Sequence, residues 1–243
     1  ALDELDGFEW ESIPSFSGNF YGDGHSITVI DEPLFGTIES GATVQDLKVE
    51  GSSIYRDGDA GIFAGVVKGE IRNCCAVGSI AGAGSVGGFA GAILGGKTSD
   101  CYASVRISQT LEEGVGIGGF AGAVENADIS NCYSSAKIDL FNSDDVPYDE
   151  VGGFIGACEN SDINACYYYL TEDSDEISDI GTGGGAAAML SVEEIRSARS
   201  FEGFDFVNTW TMIEGATEPR LISINGVGTE EKPYRIHSAD DFN

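Results

Sequence analysis

The sequence predicts an all-β fold of stacked coils, a β-solenoid (β-helix) of about five coils, from three observations. Gly/Phe clusters recur every 26 to 34 residues, a second landmark follows each cluster at nearly constant distance, and apolar residues alternate with polar ones after it. A self-similar period of this length is the signature of solenoids, propellers or arrays.

The clusters are Phe35-Gly36, Gly61-Ile62-Phe63-Ala64-Gly65, Gly87-Gly88-Phe89-Ala90-Gly91, Gly118-Gly119-Phe120-Ala121-Gly122 and Gly152-Gly153-Phe154-Ile155-Gly156. Leu47, Cys74, Cys101, Cys132 and Cys166 follow their Phe by 12, 11, 12, 12 and 12 residues. The arc from Phe to landmark is thus constant, and the insertions gather on the arc that returns to the next Phe. After the landmark, Cys132, Ser134, Ala136 and Ile138 share one face of an extended chain, with Tyr133, Ser135 and Lys137 on the other. That period of two marks a strand buried on one side.

Asp46, Asn73, Asp100 and Asn131 sit just before their landmarks, and Val44, Ile71, Ile129 and Ile163 sit three residues ahead of theirs. An odd separation would put two apolar residues on opposite faces of a straight strand. A corner at the Asx residue resolves this, because Asn and Asp tolerate left-handed backbone and bond their own main chain. Stacking coils about 4.8 Å apart then aligns Phe35, Phe63, Phe89, Phe120 and Phe154 in one inward ladder and Cys74, Cys101, Cys132 and Cys166 in another. Each buried Phe contributes about 1.5–3 kcal/mol. Glycines beside them fit where a Cβ would strike the neighbouring coil.

At these residues the chain resembles the GLUG-motif repeats of bacterial and archaeal surface proteins: Gly-Gly-Phe-Ala-Gly, then Ile-x-Asn-Cys-Tyr, as in Gly118 to Gly122 and Ile129 to Tyr133. Phe16 to Ile27 resembles that family's entry segment, with Tyr21 in the usual Asp place, and Phe201 to Trp210 its closing segment, with Phe204 where Trp is usual. The resemblance implies surface display and adhesion, sometimes attached to proteases, and supplies no catalytic residue. It divides the chain into an entry segment and first coil (1–34), repeat coils (35–170), a closing segment with a short helix (171–226) and a final stretch (227–243). The helix is expected from the capping box Ser191-Val192-Glu193-Glu194 to about Ala198, covering one end of the stack. The final stretch, Gly228 to Phe242, resembles the segment that opens such a module. Two readings stay open for it: a connector strand around Pro233, Tyr234, Arg235 and Ile236 that completes the first coil of a neighbouring copy, or the start of a next module cut from a tandem array.

The chain carries 12 Lys+Arg against 41 Asp+Glu, a formal charge of −29. Phosphate backbones and anionic membrane surfaces repel such a chain, so nucleic acid is excluded as a partner. The acidity suits solubility in strong salt, or it supplies oxygen ligands for calcium, and the two readings are compatible. Asp57, Asp59, Asp173, Asp175 and Asp179 are the candidate calcium ligands, although none matches EF-hand spacing. No stretch approaches the roughly 20 apolar residues of a membrane span.

An even count of six cysteines in an exported chain invites disulfides, but four occupy one inward column and Cys158 aligns with Val67, Ile93 and Val124. They read as free buried thiols packed as small hydrophobes, with only Cys75 pointing outward. There is no CxxC or HExxH, and Asp144 and Asp145, the one inviting acid pair, read as solvated loop charge. Tyr102, Tyr133 and Tyr167, with Tyr169 nearby, are expected to form an outward stripe. Such a row binds sugars or a partner, or simply suits a half-buried strand. The expected function is a non-catalytic extracellular structural or adhesive module, joined to copies of itself or to other surface proteins or glycans. A carbohydrate-binding or carbohydrate-active β-helix is the alternative.

Overall fold

A computed structural model of the chain describes residues 11–56, 58–82, 84–110, 116–141, 150–171 and 177–226. It is all-β, with two large parallel sheets and one small antiparallel pair, Trp210–Thr211 with Arg220–Leu221. The architecture is β-helix-like.

Each repeat contributes a strand to both large sheets. In the first, Ile13–Phe16, Phe35–Ile38, Ala64–Val67, Ala90–Leu94, Ala121–Glu125, Val151–Glu159 and Ser178–Gly183 pair in sequence order, every neighbour parallel. In the second, Asn19–Ile30, Thr43–Arg56, Cys75–Gly82, Tyr102–Thr110, Tyr133–Phe141, Tyr167–Leu170 and Ala188–Met189 do the same. Short strands such as Lys97–Ser99 and Asp128–Ser130, which lie in the chain between a strand of the first sheet and one of the second, pair among themselves and join the second sheet where Glu70–Arg72 pairs with Thr43–Arg56.

The interior between the sheets is apolar and ordered in columns. The five repeat Phe side chains are fully buried. Their ring centroids are 5.8, 4.6, 5.0 and 5.0 Å apart from Phe35 to Phe154, the last three contacts stacked within 16° of parallel. Offset stacking at this range adds about 0.5–1.5 kcal/mol per pair to area burial. The Phe before a landmark is thus a repeating rung of core. Space for it depends on glycine: a Cβ on Gly119 would lie 2.3 Å from the Gly153 carbonyl oxygen, and one on Gly153 would lie 2.2 Å from the Tyr168 ring.

The expected corners are present as left-handed residues: Asp46, Asn73, Asp100 and Asn131 have φ between 52° and 57°. They form a column of their own in which charge alternates. Asn73 donates from Nδ2 to Asp46 Oδ1 at 3.1 Å, and Asn131 likewise hydrogen-bonds Asp100. The fifth corner is Ala165, at φ 49°. Its departure from Asx has a steric cause, because the closing segment passes over it at Gly203, where a Cβ would lie 2.9 Å from the Ala165 Cβ and 3.1 Å from Asn131 Oδ1. A larger residue at 165 would push that segment away. A second series of left-handed corners, at Gly41, Gly95, Asn126 and Asn160, falls six residues after its Phe in each case.

The expected capping helix is corrected in form and place. Residues Glu194–Arg196 and Ala198–Ser200 are two single 3-10 turns, separated by Ser197 in extended conformation with its hydroxyl bound to Glu214. The capping box itself is made, with Ser191 N to Glu194 Oε2 at 2.9 Å and Glu194 N to Ser191 Oγ at 3.2 Å. Ile195 is buried against the outer face of the second sheet, so these turns cover a flank of the stack. A single-turn α-helix, Ile222–Asn225, ends the described chain.

Candidate interaction face

The outer face of the second sheet carries one column two residues after the corners: Lys48, Cys75, Tyr102, Tyr133 and Tyr167, matched residue to residue across five parallel strands. The next outward column is Thr28, Glu50, Val77, Ser104, Ser135 and Tyr169. The face is therefore aromatic at one end and polar at the other.

The aromatic half is covered by the chain itself, which corrects the expectation of an exposed tyrosine stripe. Tyr102, Tyr133 and Tyr167 are 7%, 1% and 8% exposed, packed with Cys75 in a second core under Ile195, Phe201, Phe204, Trp210, Leu221 and Ile224. Only Tyr169 stays partly open at its margin. Tyr102 and Tyr133 stack at 5.1 Å, and Trp210 lies over both, 6.2 and 5.9 Å away. Phe201 and Phe204 meet Tyr167 edge-on. Polar tips are satisfied across this seam: Tyr133 Oη donates to the Pro219 carbonyl at 2.6 Å, Tyr167 Oη to the Glu202 carbonyl at 3.0 Å, and, in the other direction, Trp210 Nε1 to Asp100 Oδ1 of the stack at 3.2 Å. The two aromatic runs are complementary because a buried phenol needs an acceptor and the cover supplies one.

Two carboxylates are drawn into this seam. Burial raises the Asp100 carboxyl above its usual range against bonds from Trp210 and Asn131, with Asp205 adding to the rise and Lys97 opposing it. Burial also raises Glu218, against a 2.9 Å bond from Ser135 Oγ and the charges of Arg196 and Arg220.

The polar half opens into a cleft of about 580 Å³ between the outer face and residues 216–220. Thr28, Glu50, Ser52 and Ser104 line its floor, while Arg196, Glu218, Arg220 and Asn225 stand on the opposite side. Lys48, almost buried, pairs with Glu50 at 2.6 Å. None of these residues stands out in the sequence. The signal that could have found them is the second position after each corner, which reads Lys, Cys, Tyr, Tyr, Tyr down the stack once the strands are aligned on Leu47, Cys74, Cys101, Cys132 and Cys166.

All six cysteines are free and buried. In the column, burial pushes the Cys101 and Cys166 thiols well above the usual range. Cys75 points outward from the stack but is sealed beneath the cover, and burial pushes it up to about 12. These three are inert packing groups at neutral pH. His25 Nδ1 lies 2.9 Å from the Gly22 carbonyl, across the register shift within Asn19–Ile30.

Of the candidate calcium ligands, Asp59 accepts from the Ser85 amide and Asp179 from the Ala187 amide, each at 3.2 Å. Asp57, Asp173 and Asp175 lie outside the described residues, as do Pro233, Tyr234, Arg235 and Ile236. Among the described residues no three His, Cys, Asp or Glu side chains gather in a metal-binding arrangement, and no helix is long and apolar enough to cross a membrane.

A model of the GLUG motif matches residues 113–139, the stretch that holds Phe120, its flanking glycines, the Asn131 corner and Cys132-Tyr133. The chain carries the GLUG motif. In the structure that motif is one rung of Phe ladder, left-handed corner and outward Tyr, repeated with variation from Phe35 to Cys166. The chain is also 33% identical over 94 residues to halomucin of Haloquadratum walsbyi, a match that covers 35% of this chain and 1% of that protein.

Proposed function

We propose that the chain is a non-catalytic structural or adhesive module of an extracellular, cell-surface protein, its rungs wound as a solenoid of about five coils. The observation that carries this reading is the unbroken parallel stack from Ile13–Phe16 to Ser178–Gly183, in which the repeat residues serve core, corner or cover. The GLUG motif supports surface display, and the match to a small fraction of a much longer protein supports a modular role. The acidic surface fits a salt-rich exterior, where screening acts within a few ångströms. In this reading modules join head to tail: the segment around Pro233 to Ile236 adds as a strand to the first coil of a neighbouring copy, beside Ile13–Phe16, the outermost strand of the first sheet among the described residues. Parallel stacks end in unpaired strand edges, and an added strand satisfies them. A contact of that kind is heterologous and propagates.

Sedimentation and electron microscopy of the chain with and without the residues after Gly226, at high and low salt, test the joining. The full chain is expected to form filaments and the shortened one to stay monomeric. If both remain monomers the joining is wrong, and a display module acting through its exposed faces remains.

A further inference from the structure

We propose that the cleft beside the tyrosine cover is a binding site for an acidic saccharide, a sugar bearing a carboxylate of the uronic-acid type. This goes beyond the modular role and holds whether or not copies join. The volume, about 580 Å³, is in the range of about 300–1,000 Å³ typical of small-molecule sites.

Its charge runs against the rest of the molecule. The chain carries 12 basic residues to 41 acidic ones, yet the cleft lining holds Lys48, Arg196 and Arg220 against Glu50 and Glu218. Lys48 is paired with Glu50, so the surplus is one positive charge, from Arg196 and Arg220 against Glu218, in a molecule that is otherwise strongly negative. A bare anion such as phosphate is a poor match, because the two carboxylates stand among the cations. A ligand with a carboxylate for the arginines and hydroxyls that donate to Glu50 and Glu218 matches both sets. The rest of the lining offers the hydroxyls of Thr28, Ser52 and Ser104 as polar partners, beside apolar surface from Val77, Tyr102 and Tyr133 against which the face of a sugar ring can lie. Asn225, also in the lining, is 8% exposed and its Oδ1 has no hydrogen-bond partner. An unpaired buried acceptor costs about 1–3 kcal/mol, which a donor bound alongside would offset.

Calorimetric titration of the full chain with trigalacturonate, maltotriose and triglutamate at about 0.15 M salt tests the assignment. Trigalacturonate is expected to bind, with the neutral sugar and the acidic peptide at least tenfold weaker. Arg196→Glu, at an exposed side chain, is expected to weaken trigalacturonate at least tenfold, and Thr28→Trp, which fills the floor, to abolish its binding. Thermal melting of each variant checks that the fold is intact. No binding of trigalacturonate at millimolar concentration, equal binding of either control ligand, or affinity unchanged in both folded variants would overturn the proposal. Sedimentation of the same samples reports joining separately.

Discussion

The two halves of the outer face are built on neighbouring strands of one sheet in continuous register, and differ most in the first outward residue after each corner. Where it is tyrosine, the chain folds its own closing segment over the face and makes a second core. Where it is Lys48, with Glu50 two residues on, the same segment stands off and leaves a cleft. The backbone scaffold thus offers a uniform surface, and the outward side chains set where it is covered and where it is open, with Tyr102 and Tyr133 at the border of the two. Tyr133 and Tyr167 bury large rings with one polar tip that the cover satisfies, whereas an ion pair is costly to desolvate.

Removing the largest side chain of the cover should separate the halves most sharply. Trp210→Ala takes away a fully buried ring in contact with Tyr102, Tyr133 and Phe204. It is expected to cost the cover about 3–5 kcal/mol. Hydrogen exchange should show lost protection in residues 190–226 and retained protection in the Phe-ladder strands; simultaneous loss in both would mean that cover and stack fold as one unit. Tyr133→Phe is gentler. It keeps the stack with Tyr102 but leaves the Pro219 carbonyl without its 2.6 Å donor. A loss of about 1–3 kcal/mol is expected in the same region, read as an earlier denaturant midpoint of Trp fluorescence.

The smallest effect is in pH. Asp100 and Glu218 have folded-state pKa values raised by burial above their unfolded ones, so the folded form binds protons more tightly. Their contribution favours the covered state at low pH and is lost as pH rises through the raised values. The difference in stability between Glu218→Gln and the parent chain should therefore shift in favour of the variant as pH rises from below the ordinary carboxylate range to neutrality. A difference that is flat with pH would show that Glu218 titrates normally.

Much of the stack is legible in the sequence because its determinants are local and repeated. Phe-to-landmark spacing, the Asx corner and the alternating strand each recur four or five times, so chance matches cancel. The corner at Ala165 is not legible, since its cause is contact with Gly203, far along the chain. Alternation places the tyrosine stripe correctly on the outer face yet suggests an open one, because it reports which side of a sheet a residue faces and not what lies on that side. The aromatic run Phe201, Phe204, Phe206 and Trp210 is visible as the closing segment, but its pairing with Tyr102, Tyr133 and Tyr167 is a long-range contact with no periodic trace. The helix expected from the capping box stops at one turn because Ser197 bonds Glu214.

The alternation of Asp46, Asn73, Asp100 and Asn131 has a genealogical consequence. Each carboxylate accepts from the amide of the rung above it, and no two carboxylates adjoin. Excising the rung that carries Asn73 would bring Asp46 against Asp100 at about 4.8 Å, like charge on like charge in a half-buried corner. Excising that rung together with a neighbour restores the order. Loss of the Asp46, Asp100 or Asn131 rung alone makes no such contact, so the constraint falls on the Asn73 rung: a lineage that drops it must also drop a flanking Asp rung or replace one of the two acids.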